Sequence, residues 1–465
     1  MDILSPIHRV EFDRALIERY DGKGPRYTSY PTADRFLPIL PENGKSLIRK
    51  TQPGKSVKLA SLYFHIPFCN TICFYCGCNK IVTKDIGRAA DYVAYLQKEI
   101  GLQTSVLSYR PKVGHIHWGG GTPTFLSAAQ ISELMVSINE SFDLLKDGEY
   151  SIEIDPRKLD AARIDHLADS GFNRMSVGVQ DFDPKVQRAV NRVQSEAQTR
   201  LVIDAGRSAG FRSVSIDLIY GLPHQSVNSV MQTLDRVLDI RPDRIALYNY
   251  AHLPERFKPQ RRIDADALPS ASEKLDILQA SIQKLIAAGY IYIGMDHFAL
   301  PGDDLAVAQQ RGTLQRNFQG YSTFAESDLL AFGVSAIGKL GGSYIQNVKN
   351  LDDYYALLDQ DELPLERGYV LSRDDLIRRA AIQILMCQFN LFFRDFEANW
   401  LLRFADYFAT ELTQLRQMAA DGLLELDEES IQVTPKGRIL IRSIAMVFDR
   451  YLQEGLAQGR YSRLV

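Results

Sequence analysis

The chain has 465 residues, of which 45% are hydrophobic and 24% are charged, so it can bury a large core and we expect more than one domain. Its net charge of −3 argues against a protein built to bind polyanions and against an acidic tail. The sequence shows no basic start followed by an apolar run and no stretch of about 18 apolar residues. We therefore expect a soluble, cytoplasmic protein that does not enter a membrane.

Short β-rich runs alternate with longer amphipathic segments along much of the chain. This alternation predicts βα units and a parallel sheet, either doubly wound or closed into a full or partial barrel. A seventh unit is indicated by "EKLDILQASIQKLIAAGYIYIGM". The predicted strands are residues 61–66, 115–118, 150–155, 174–179, 213–220 and 244–250.

Polar, glycine-rich and reactive residues follow each of the six predicted strands. The cysteine-rich run follows the first strand, "GGGTPT" the second, and "GVQDFD", "DLIYGLPHQ" and "NYAHLP" the last three, while Glu153 and Asp155 close the third. A barrel gathers its active site at this rim, whereas a doubly wound sheet concentrates it at one switch point. The pattern therefore favours a partial (β/α) barrel.

From about residue 371 the pattern changes to helices around one short hairpin, which suits a mostly helical, winged-helix-like domain. This region carries 12 Lys and Arg against 13 Asp and Glu, so it lacks the basic character of a nucleic-acid-binding domain. We expect three parts: an N-terminal segment at 1–50 that folds over the barrel mouth, a catalytic barrel at 51–370, and a C-terminal domain at 371–465 that covers the active site.

Four of the five cysteines lie within "YFHIPFCNTICFYCGCNK", residues 63–80. In a reducing compartment such a group indicates metal ligands or redox groups rather than disulfides. A structural zinc site usually needs a second ligand pair, which this chain lacks, although three cysteines with His65 would suffice. A thioredoxin-like pair would leave two cysteines unexplained. Cys387, among apolar residues, is expected to be an inert core residue.

An iron–sulfur cluster explains the group best, because thiolates on a short loop can each reach one iron of a cubane. Cys76 and Cys78 have one residue between them, too little chain to span two irons comfortably. We therefore assign the cluster to Cys69, Cys73 and Cys76, which leaves one iron open to a substrate or cofactor. The role of Cys78 stays open between a plain small residue and a participant in the substrate chemistry.

The spacing Cys-x3-Cys-x2-Cys after the first strand, with Tyr75 before the third cysteine, resembles that of radical S-adenosylmethionine enzymes. The runs "HWGGGTPT", "SIEIDPR", "IDLIYGLPHQ", "GMDHFA", "RNFQGYST" and "GPRYTSYPTA" narrow the resemblance to the oxygen-independent coproporphyrinogen III oxidases, also called dehydrogenases. The similarity extends from about residue 20 to the C-terminus. It implies a [4Fe–4S] cluster whose open iron binds S-adenosylmethionine, with room for two molecules of that cofactor.

The resemblance also implies site residues. Cys78 and Tyr63 are candidate catalytic residues, and Arg26, Phe318 and Gln319 are candidate substrate contacts, with Arg26 pairing with a propionate. The implied cofactor contacts are Tyr63, Tyr75, Gly120, Gly121, Thr122, Glu153, Gln180, Arg192, Asp217, Ala251 and Ile337.

The implied reaction is the oxidative decarboxylation of two propionates of coproporphyrinogen III to vinyl groups, giving protoporphyrinogen IX in haem biosynthesis. A 5′-deoxyadenosyl radical would remove a hydrogen from the propionate β-carbon, and a reducing donor such as flavodoxin or ferredoxin would supply electrons. We expect a monomer without nucleic-acid or membrane partners. Two alternatives stay in view: the related haem chaperone, which delivers haem, and a simple iron–sulfur electron carrier, which would use four cysteine ligands.

Overall fold

The computed structural model describes residues 9–51, 59–323 and 327–452. Its α-helices are α1 (Arg14–Tyr20), α2 (Pro41–Thr51), α3 (Gly87–Ser105), α4 (Ala128–Ser141), α5 (Ala161–Asp169), α6 (Pro184–Ala189), α7 (Glu196–Ser208), α8 (Val227–Ile240), α9 (Ala271–Ala287), α10 (Asp304–Gln310), α11 (Leu351–Asp359), α12 (Arg373–Gln388), α13 (Phe393–Trp400), α14 (Phe404–Tyr407), α15 (Ala409–Ala420) and α16 (Ile441–Met446).

The strands follow the same chain order. They are β1 (Leu37–Pro38), β2 (Leu59–Ile66), β3 (Phe68–Cys69), β4 (Ile81–Val82), β5 (Lys112–Gly120), β6 (Asp143–Ile154), β7 (Arg174–Gln180), β8 (Ser213–Tyr220), β9 (Arg244–Asn249), β10 (Ile291–Gly294), β11 (His297–Ala299), β12 (Gln315–Asn317), β13 (Gly320–Ser322), β14 (Asp328–Phe332), β15 (Ile337–Leu340), β16 (Ser343–Asn347), β17 (Leu365–Val370), β18 (Asn390–Phe392), β19 (Leu424–Leu426) and β20 (Ser430–Val433).

The described residues form two compact units. The barrel unit contains residues 36–51, 59–269 and 327–370, and the helical unit contains residues 9–35, 270–323 and 371–452. Residues 270–323 thus belong with the chain's two terminal regions. Residues 1–8, 52–58, 324–326 and 453–465 of the three expected domains lie outside the described residues, and the covering roles of the terminal domains stay predictions.

The sheet of the barrel unit is parallel from β14 through β2, β5, β6, β7 and β8 to β9. Helices α3 to α8 connect the successive strands, as right-handed βα crossovers require. Beyond β14 the sheet continues antiparallel through β15, β16 and β17 to β1. This arrangement confirms the predicted partial (β/α) barrel and adds an antiparallel extension that the sequence analysis did not include.

Local sequence explains where the connecting helices begin. Ser127 and Ser226 each form a reciprocal capping box with the third residue of the following helix, α4 and α8. The side chains of Asp160 and Ser195 accept backbone hydrogen bonds at the starts of α5 and α7. Because each helix starts shortly after a strand ends, the intervening loops collect at one edge of the sheet.

The helical unit contains α1, α9, α10 and α12 to α16 with small antiparallel sheets. The predicted hairpin forms β19 and β20, and β18 joins it as a third strand. The predicted seventh unit forms helix α9 and then β10, but β10 pairs antiparallel with β11 instead of continuing a parallel series. No helix in the described part of the chain is both long enough and apolar enough to cross a membrane.

Candidate active site

The four clustered cysteines lie on a loop whose two ends are tied together. Strands β3 and β4 pair in parallel, with Phe68 opposite Ile81. The Ile81 N–H donates to the carbonyl oxygen of Pro67 at 2.7 Å, and the Thr83 N–H donates to that of Cys69 at 3.0 Å. The chain therefore leaves and re-enters the barrel edge at nearly the same place, which fixes the base of the cysteine loop.

The middle of this loop is held by groups from the connections that follow β7 and β9. The Phe74 N–H donates to the carbonyl oxygen of Val190 at 2.9 Å. The Asn191 amide donates to that of Ile72 at 2.7 Å, and the Gln260 amide donates to that of Tyr75 at 3.0 Å. Because these bonds satisfy the loop's backbone, the thiols can be presented by an ordered segment without regular secondary structure.

A cavity of about 370 Å³ opens beside this loop, within the range of small-molecule sites. It brings together residues from the ends of several strands, as the barrel interpretation predicts. The predicted site residues that line it are Cys69, Cys73, Tyr75, Cys76, Cys78, Gly120, Gly121, Thr122, Glu153, Gln180, Arg192 and Asp217.

The thiols of this cavity suit an iron–sulfur cluster. Among the described residues, no group of three or more His, Cys, Asp or Glu side chains surrounds one metal-ion position. A cubane instead takes each cysteine on a separate iron, so it needs thiols spread around a shared cavity. Cys73 is buried, Cys69 and Cys76 are half-buried, and Cys78 is exposed.

Cys76 and Cys78 differ in their tendency to ionise. The Cys78 thiol donates toward the Cys76 sulfur and, with the Lys80 ammonium group, lowers the pKa of Cys76 to about 6. The same hydrogen bond raises the pKa of Cys78 well above its usual value. Burial raises the pKa of Cys69 to about 11, although the Thr122 hydroxyl, 3.6 Å from its sulfur, acts in the opposite direction. The Cys76 thiolate is thus favoured, as a cluster ligand requires.

Two arginines place positive charge beside Cys73. Arg192 Nη1 lies 3.7 Å from the Cys73 sulfur, and Arg157 Nη2 lies 3.9 Å from it. Asp155 joins the two cations, at 2.6 Å from Arg157 and 3.5 Å from Arg192. Burial opposes ionisation of Asp155, but the two guanidinium groups bring its pKa below the usual value. With two guanidinium groups and one carboxylate, this wall of the cavity carries net positive charge and can hold an anionic ligand.

The glycine-rich loop after β5 packs so closely against His65 and Pro67 that side chains would not fit. Gly120 has φ +111°, and a Cβ there would lie 2.6 Å from the His65 ring. A Cβ on Gly121 would lie 2.7 Å from the Pro67 carbonyl group. The backbone N–H of Gly121 also donates to the Ile66 carbonyl oxygen at 2.8 Å. These contacts explain why positions 120 and 121 are glycine. They also leave the backbone of the loop facing the cavity.

Glu153 and Asp217 are carboxylates with opposite pKa shifts. Burial acts to raise the pKa of Glu153, but contacts with His117 at 3.3 Å and the Gly120 N–H at 3.2 Å bring it below the usual value. Burial, with the nearby Glu153 charge, raises the pKa of Asp217 to about 7. The Ser176 hydroxyl donates to Asp217 at 3.0 Å. One carboxylate is therefore fixed as an acceptor, and the other can hold a proton at neutral pH.

Two polar atoms of the cavity residues are buried without a hydrogen-bond partner among the described residues: the Gln180 amide oxygen and the Arg192 Nε. Gln180 also has φ +69°, a strained value for a residue with a side chain. Buried polar atoms are nearly always satisfied, so these two await a polar ligand. One acceptor and one cationic donor fit the hydroxyl and carboxylate groups of S-adenosylmethionine.

Tyr63 lies outside the residues that line this cavity and is hydrogen-bonded to His65. His65 Nε2 lies 2.9 Å from the carbonyl oxygen of Asn79, so it must donate that bond. Its Nδ1 therefore accepts from the Tyr63 hydroxyl at 3.0 Å. Burial lowers the pKa of His65, in agreement with a neutral ring. The pair ties β2 to the end of the cysteine loop, and a catalytic role for Tyr63 stays a prediction.

The other predicted site residues also lie outside the cavity lining. Ala251 follows β9 and Ile337 begins β15, both in the barrel unit. In the helical unit, Phe318 and Gln319 form the turn between β12 and β13, and Arg26 forms an ion pair with Asp296. Their roles stay predictions.

Sequence reasoning did not assign roles to several polar residues of the cavity. Asp155 and Arg157 belong to "SIEIDPR", where two charged residues directly after a strand were a usable signal. Lys80 closes the cysteine loop and donates to the Cys76 carbonyl oxygen at 3.0 Å. Ser176 points to the cavity from within a strand, where alternation alone cannot separate an interior polar residue from a surface one.

Comparison with known proteins agrees with this geometry. The Radical SAM superfamily domain matches residues 63–237, and the HemN C-terminal domain matches residues 371–440. The solved structure of coproporphyrinogen III oxidase (HemN) from Escherichia coli, described as a radical SAM enzyme, superimposes with a TM-score of 0.90 at 48% sequence identity. The match covers 96% of this chain and 100% of that one.

Curated relatives match over nearly their full lengths. The oxygen-independent coproporphyrinogen III oxidase of Pseudomonas aeruginosa is 50% identical, covering 98% of this chain and 99% of the relative. The protein of the same name from Escherichia coli is 48% identical, covering 99% of this chain and 100% of the relative. The chain therefore belongs to the radical SAM superfamily and, within it, to the family of oxygen-independent coproporphyrinogen III oxidases.

Proposed function

We propose that this chain converts two propionate side chains of coproporphyrinogen III to vinyl groups without oxygen, yielding protoporphyrinogen IX. Its cofactors are a [4Fe–4S] cluster and S-adenosylmethionine. The observation that carries the proposal is the 50% identity to an enzyme of this activity over 98% of the chain. The cavity supports it independently, because its donors suit both cofactors.

Cys69, Cys73 and Cys76 would hold the cluster, and Cys78 would stay a free thiol beside it. Arg157 and Arg192 place their guanidinium groups 3.9 Å and 3.7 Å from the Cys73 sulfur. The ring of Phe257 lies against the loop at Gly77, where a Cβ would lie 3.0 Å from the ring. This contact packs the Phe257 ring against the turn between Cys76 and Cys78.

The remaining cavity residues would orient S-adenosylmethionine. Glu153, with its lowered pKa, accepts hydrogen bonds from hydroxyl groups, and the Gln180 amide oxygen supplies a further acceptor. Arg192 pairs with a carboxylate, and the backbone at Gly120 and Gly121 admits the ligand closely. Ala251, Ile337 and Tyr63 are further proposed cofactor contacts, and a second S-adenosylmethionine molecule would share these residues.

When bound, the cluster and S-adenosylmethionine supply the radical that takes one hydrogen atom from each propionate β-carbon. Each propionate then loses carbon dioxide and one electron, leaving a vinyl group, so an electron acceptor is required. We propose that flavodoxin or ferredoxin supplies the reducing electron. We further propose that the protein acts as a cytoplasmic monomer and that Arg26, Phe318 and Gln319 contact the substrate.

Anaerobic incubation with coproporphyrinogen III, S-adenosylmethionine and a reductant tests the proposal. Chromatography should show a divinyl product and release of carbon dioxide, both absent with Cys76→Ala. The matched control Cys387→Ala changes a buried cysteine away from the cysteine loop and should stay active. Stable haem binding without vinyl product would instead favour the haem chaperone and overturn the proposal.

A further inference from the structure

Three arginines converge in the helical unit from distant parts of the chain. Arg316, on β12, donates from Nε to the carbonyl oxygen of Arg26 at 3.3 Å. Arg442, on α16, donates from Nε to the carbonyl oxygen of Pro25 at 3.0 Å. Burial, followed by the charges of Arg26 and Arg316, lowers the pKa of Arg442 to about 9. The unit thus concentrates positive charge around residues 24–26.

The negative charge nearby does not match this concentration. Asp296 pairs with Arg26. Arg316 has no carboxylate within ion-pair distance among the described residues, and its Nη1 is buried without a hydrogen-bond partner there. Only 6% of Arg316 is exposed, so water does not readily replace the missing partner. An unsatisfied, buried guanidinium nitrogen is costly, and a carboxylate would satisfy it.

A fourth arginine repeats the pattern. Arg438 is 6% exposed, and its Nε and Nη1 are buried without partners among the described residues. Its guanidinium lies 4.9 Å from the centre of the Phe389 ring, as that of Arg316 lies 4.8 Å from the centre of Tyr321. Both rings lie against Gly294, where a Cβ would meet the Tyr321 hydroxyl and would be 3.3 Å from Phe389. Arg316 and Arg438 therefore make cation–π contacts with two neighbouring aromatic rings.

The hairpin that carries Arg316 adds neutral hydrogen-bonding groups. Both polar atoms of the Gln319 amide are buried without partners in the described part of the chain. The cluster also reaches solvent, because 35% of the Arg26 side chain is exposed. Aromatic surfaces, unsatisfied cations and an amide together suit a large ring system that carries carboxylates.

We propose that Arg316 and Arg438 bind propionate carboxylates of the porphyrinogen and so select a substrate that carries several of them. This inference rests on the proposed function. It assigns carboxylate recognition mainly to these two residues, with Arg26 contributing charge while it stays paired with Asp296. The alternative is that Arg316 only anchors the carbonyl group of Arg26, as Arg442 anchors that of Pro25.

The test measures binding of coproporphyrin III, the stable, fluorescent ring with four propionates, to the anaerobically purified holoprotein. Arg316→Gln and Arg438→Gln should each weaken binding tenfold or more, because each removes a charge-assisted contact. Arg316→Lys should weaken binding less, since lysine keeps the positive charge but lacks the forked pair of guanidinium N–H donors. The control Arg403→Gln removes an exposed charge from the same unit and should change the affinity less than twofold.

The tetramethyl ester of coproporphyrin III separates carboxylate recognition from packing. It should bind equally to the original protein and to the variants, whose iron content and unfolding midpoint are measured alongside. The inference would be overturned if the original protein and both Gln variants bound coproporphyrin III with equal affinity. It would also be overturned if the variants lost affinity equally for coproporphyrin III and for its tetramethyl ester. Turnover of the original protein is assayed in parallel. If the original protein forms vinyl product but the Gln variants bind coproporphyrin III with unchanged affinity, only the inference is wrong. If binding depends on the arginines but no vinyl product forms, only the proposed function is wrong.

Discussion

Gly121 lies directly against Pro67, so that a Cβ at position 121 would come within 2.7 Å of the Pro67 carbonyl carbon and oxygen. The next backbone N–H, that of Thr122, donates to the carbonyl oxygen of Phe68 at 2.8 Å. Phe68 directly precedes Cys69, the first proposed cluster ligand. The glycine loop and the cysteine loop are therefore positioned by backbone contact with each other, without an intervening side chain.

Gly121→Ala should consequently disturb both loops. Because the clash is with backbone atoms, we expect a loss of about 1–3 kcal/mol in the free energy of unfolding, with less iron bound per chain. Gly101→Ala is the matched control, since a Cβ there meets nothing within 4 Å and Gly101 lies inside α3. It should be neutral or stabilising by up to about 1 kcal/mol. Urea unfolding and iron analysis measure the stability and iron content of both variants. If Gly121→Ala kept the stability and iron content of the original protein, the contact between Gly121 and Pro67 would not be important for either loop.

The parallel strands were predictable from sequence because each is a short apolar run with polar residues at its end. The predicted strand at 213–220 coincides with β8, and that at 174–179 lies within β7. The extension through β15 to β17 was missed, since β15 and β16 follow β14 without intervening helices and the strands of the extension mix glycine and polar residues with apolar ones. The run "FADYFATELTQLRQMAADG" at 404–422 has a helical pattern throughout, but the structure divides it into α14 and α15 at Phe408, where the backbone geometry is not helical.

The rim location of the cavity was also predictable, because strand ends meet at one edge of a parallel sheet. The ion pairs between residues of the cavity were not predictable from the sequence. The bridge from Asp155 to both Arg157 and Arg192 joins residues up to 37 positions apart, and single-sequence patterns carry no signal for such pairing. The carboxylate deficit around Arg316 likewise emerges only once separate segments are brought together.

The cysteines should divide into three groups. Alanine at Cys69, Cys73 or Cys76 should abolish the cluster, which otherwise contributes roughly four irons per chain. Alanine at Cys78 should leave iron content intact, since one residue separates Cys78 from Cys76, too little chain to place both thiolates comfortably on different irons of one cubane. Alanine at Cys387 should also retain iron. Iron and sulfide analysis of anaerobic preparations measures this, and iron loss with Cys78→Ala would point to four protein ligands.

Glu99 forms a buried hydrogen-bond centre in the barrel unit. Its two carboxylate oxygens accept four hydrogen bonds of 2.6–2.9 Å, donated by Gln103, Asn347, the Gly333 N–H and the Tyr354 hydroxyl. Burial raises the pKa of Glu99, although these donors act to lower it. An amide at this position would turn its NH₂ group toward donors that need an acceptor.

Glu99→Gln should therefore lower the free energy of unfolding by about 2–4 kcal/mol, since two buried donors lose their acceptor. Glu133→Gln makes the same chemical change on the exposed face of α4 and should stay within about 0.5 kcal/mol. Urea titration followed by circular dichroism compares them. Similar unfolding free energies for the two variants would show that the buried network can rearrange around an amide.

Asp217 should make stability depend on pH. Its pKa of about 7 in the folded protein exceeds the ordinary value of 3.8, so between these values the folded state holds a proton that the unfolded state has released. Stability must then fall as pH rises through this window and level off above it.

Asp217→Asn cannot ionise, and its amide oxygen can still accept a hydrogen bond from the Ser176 hydroxyl. At pH 8 the variant should be more stable by up to roughly 4 kcal/mol, with the advantage vanishing near pH 4. Urea unfolding at several pH values, without added S-adenosylmethionine, measures the difference. Asp165→Asn, on the exposed side of α5, should show no such trend. If the stability curves of Asp217→Asn and the original protein run parallel from pH 5 to pH 8, Asp217 is ionised throughout that range and is a fixed acceptor like Glu153.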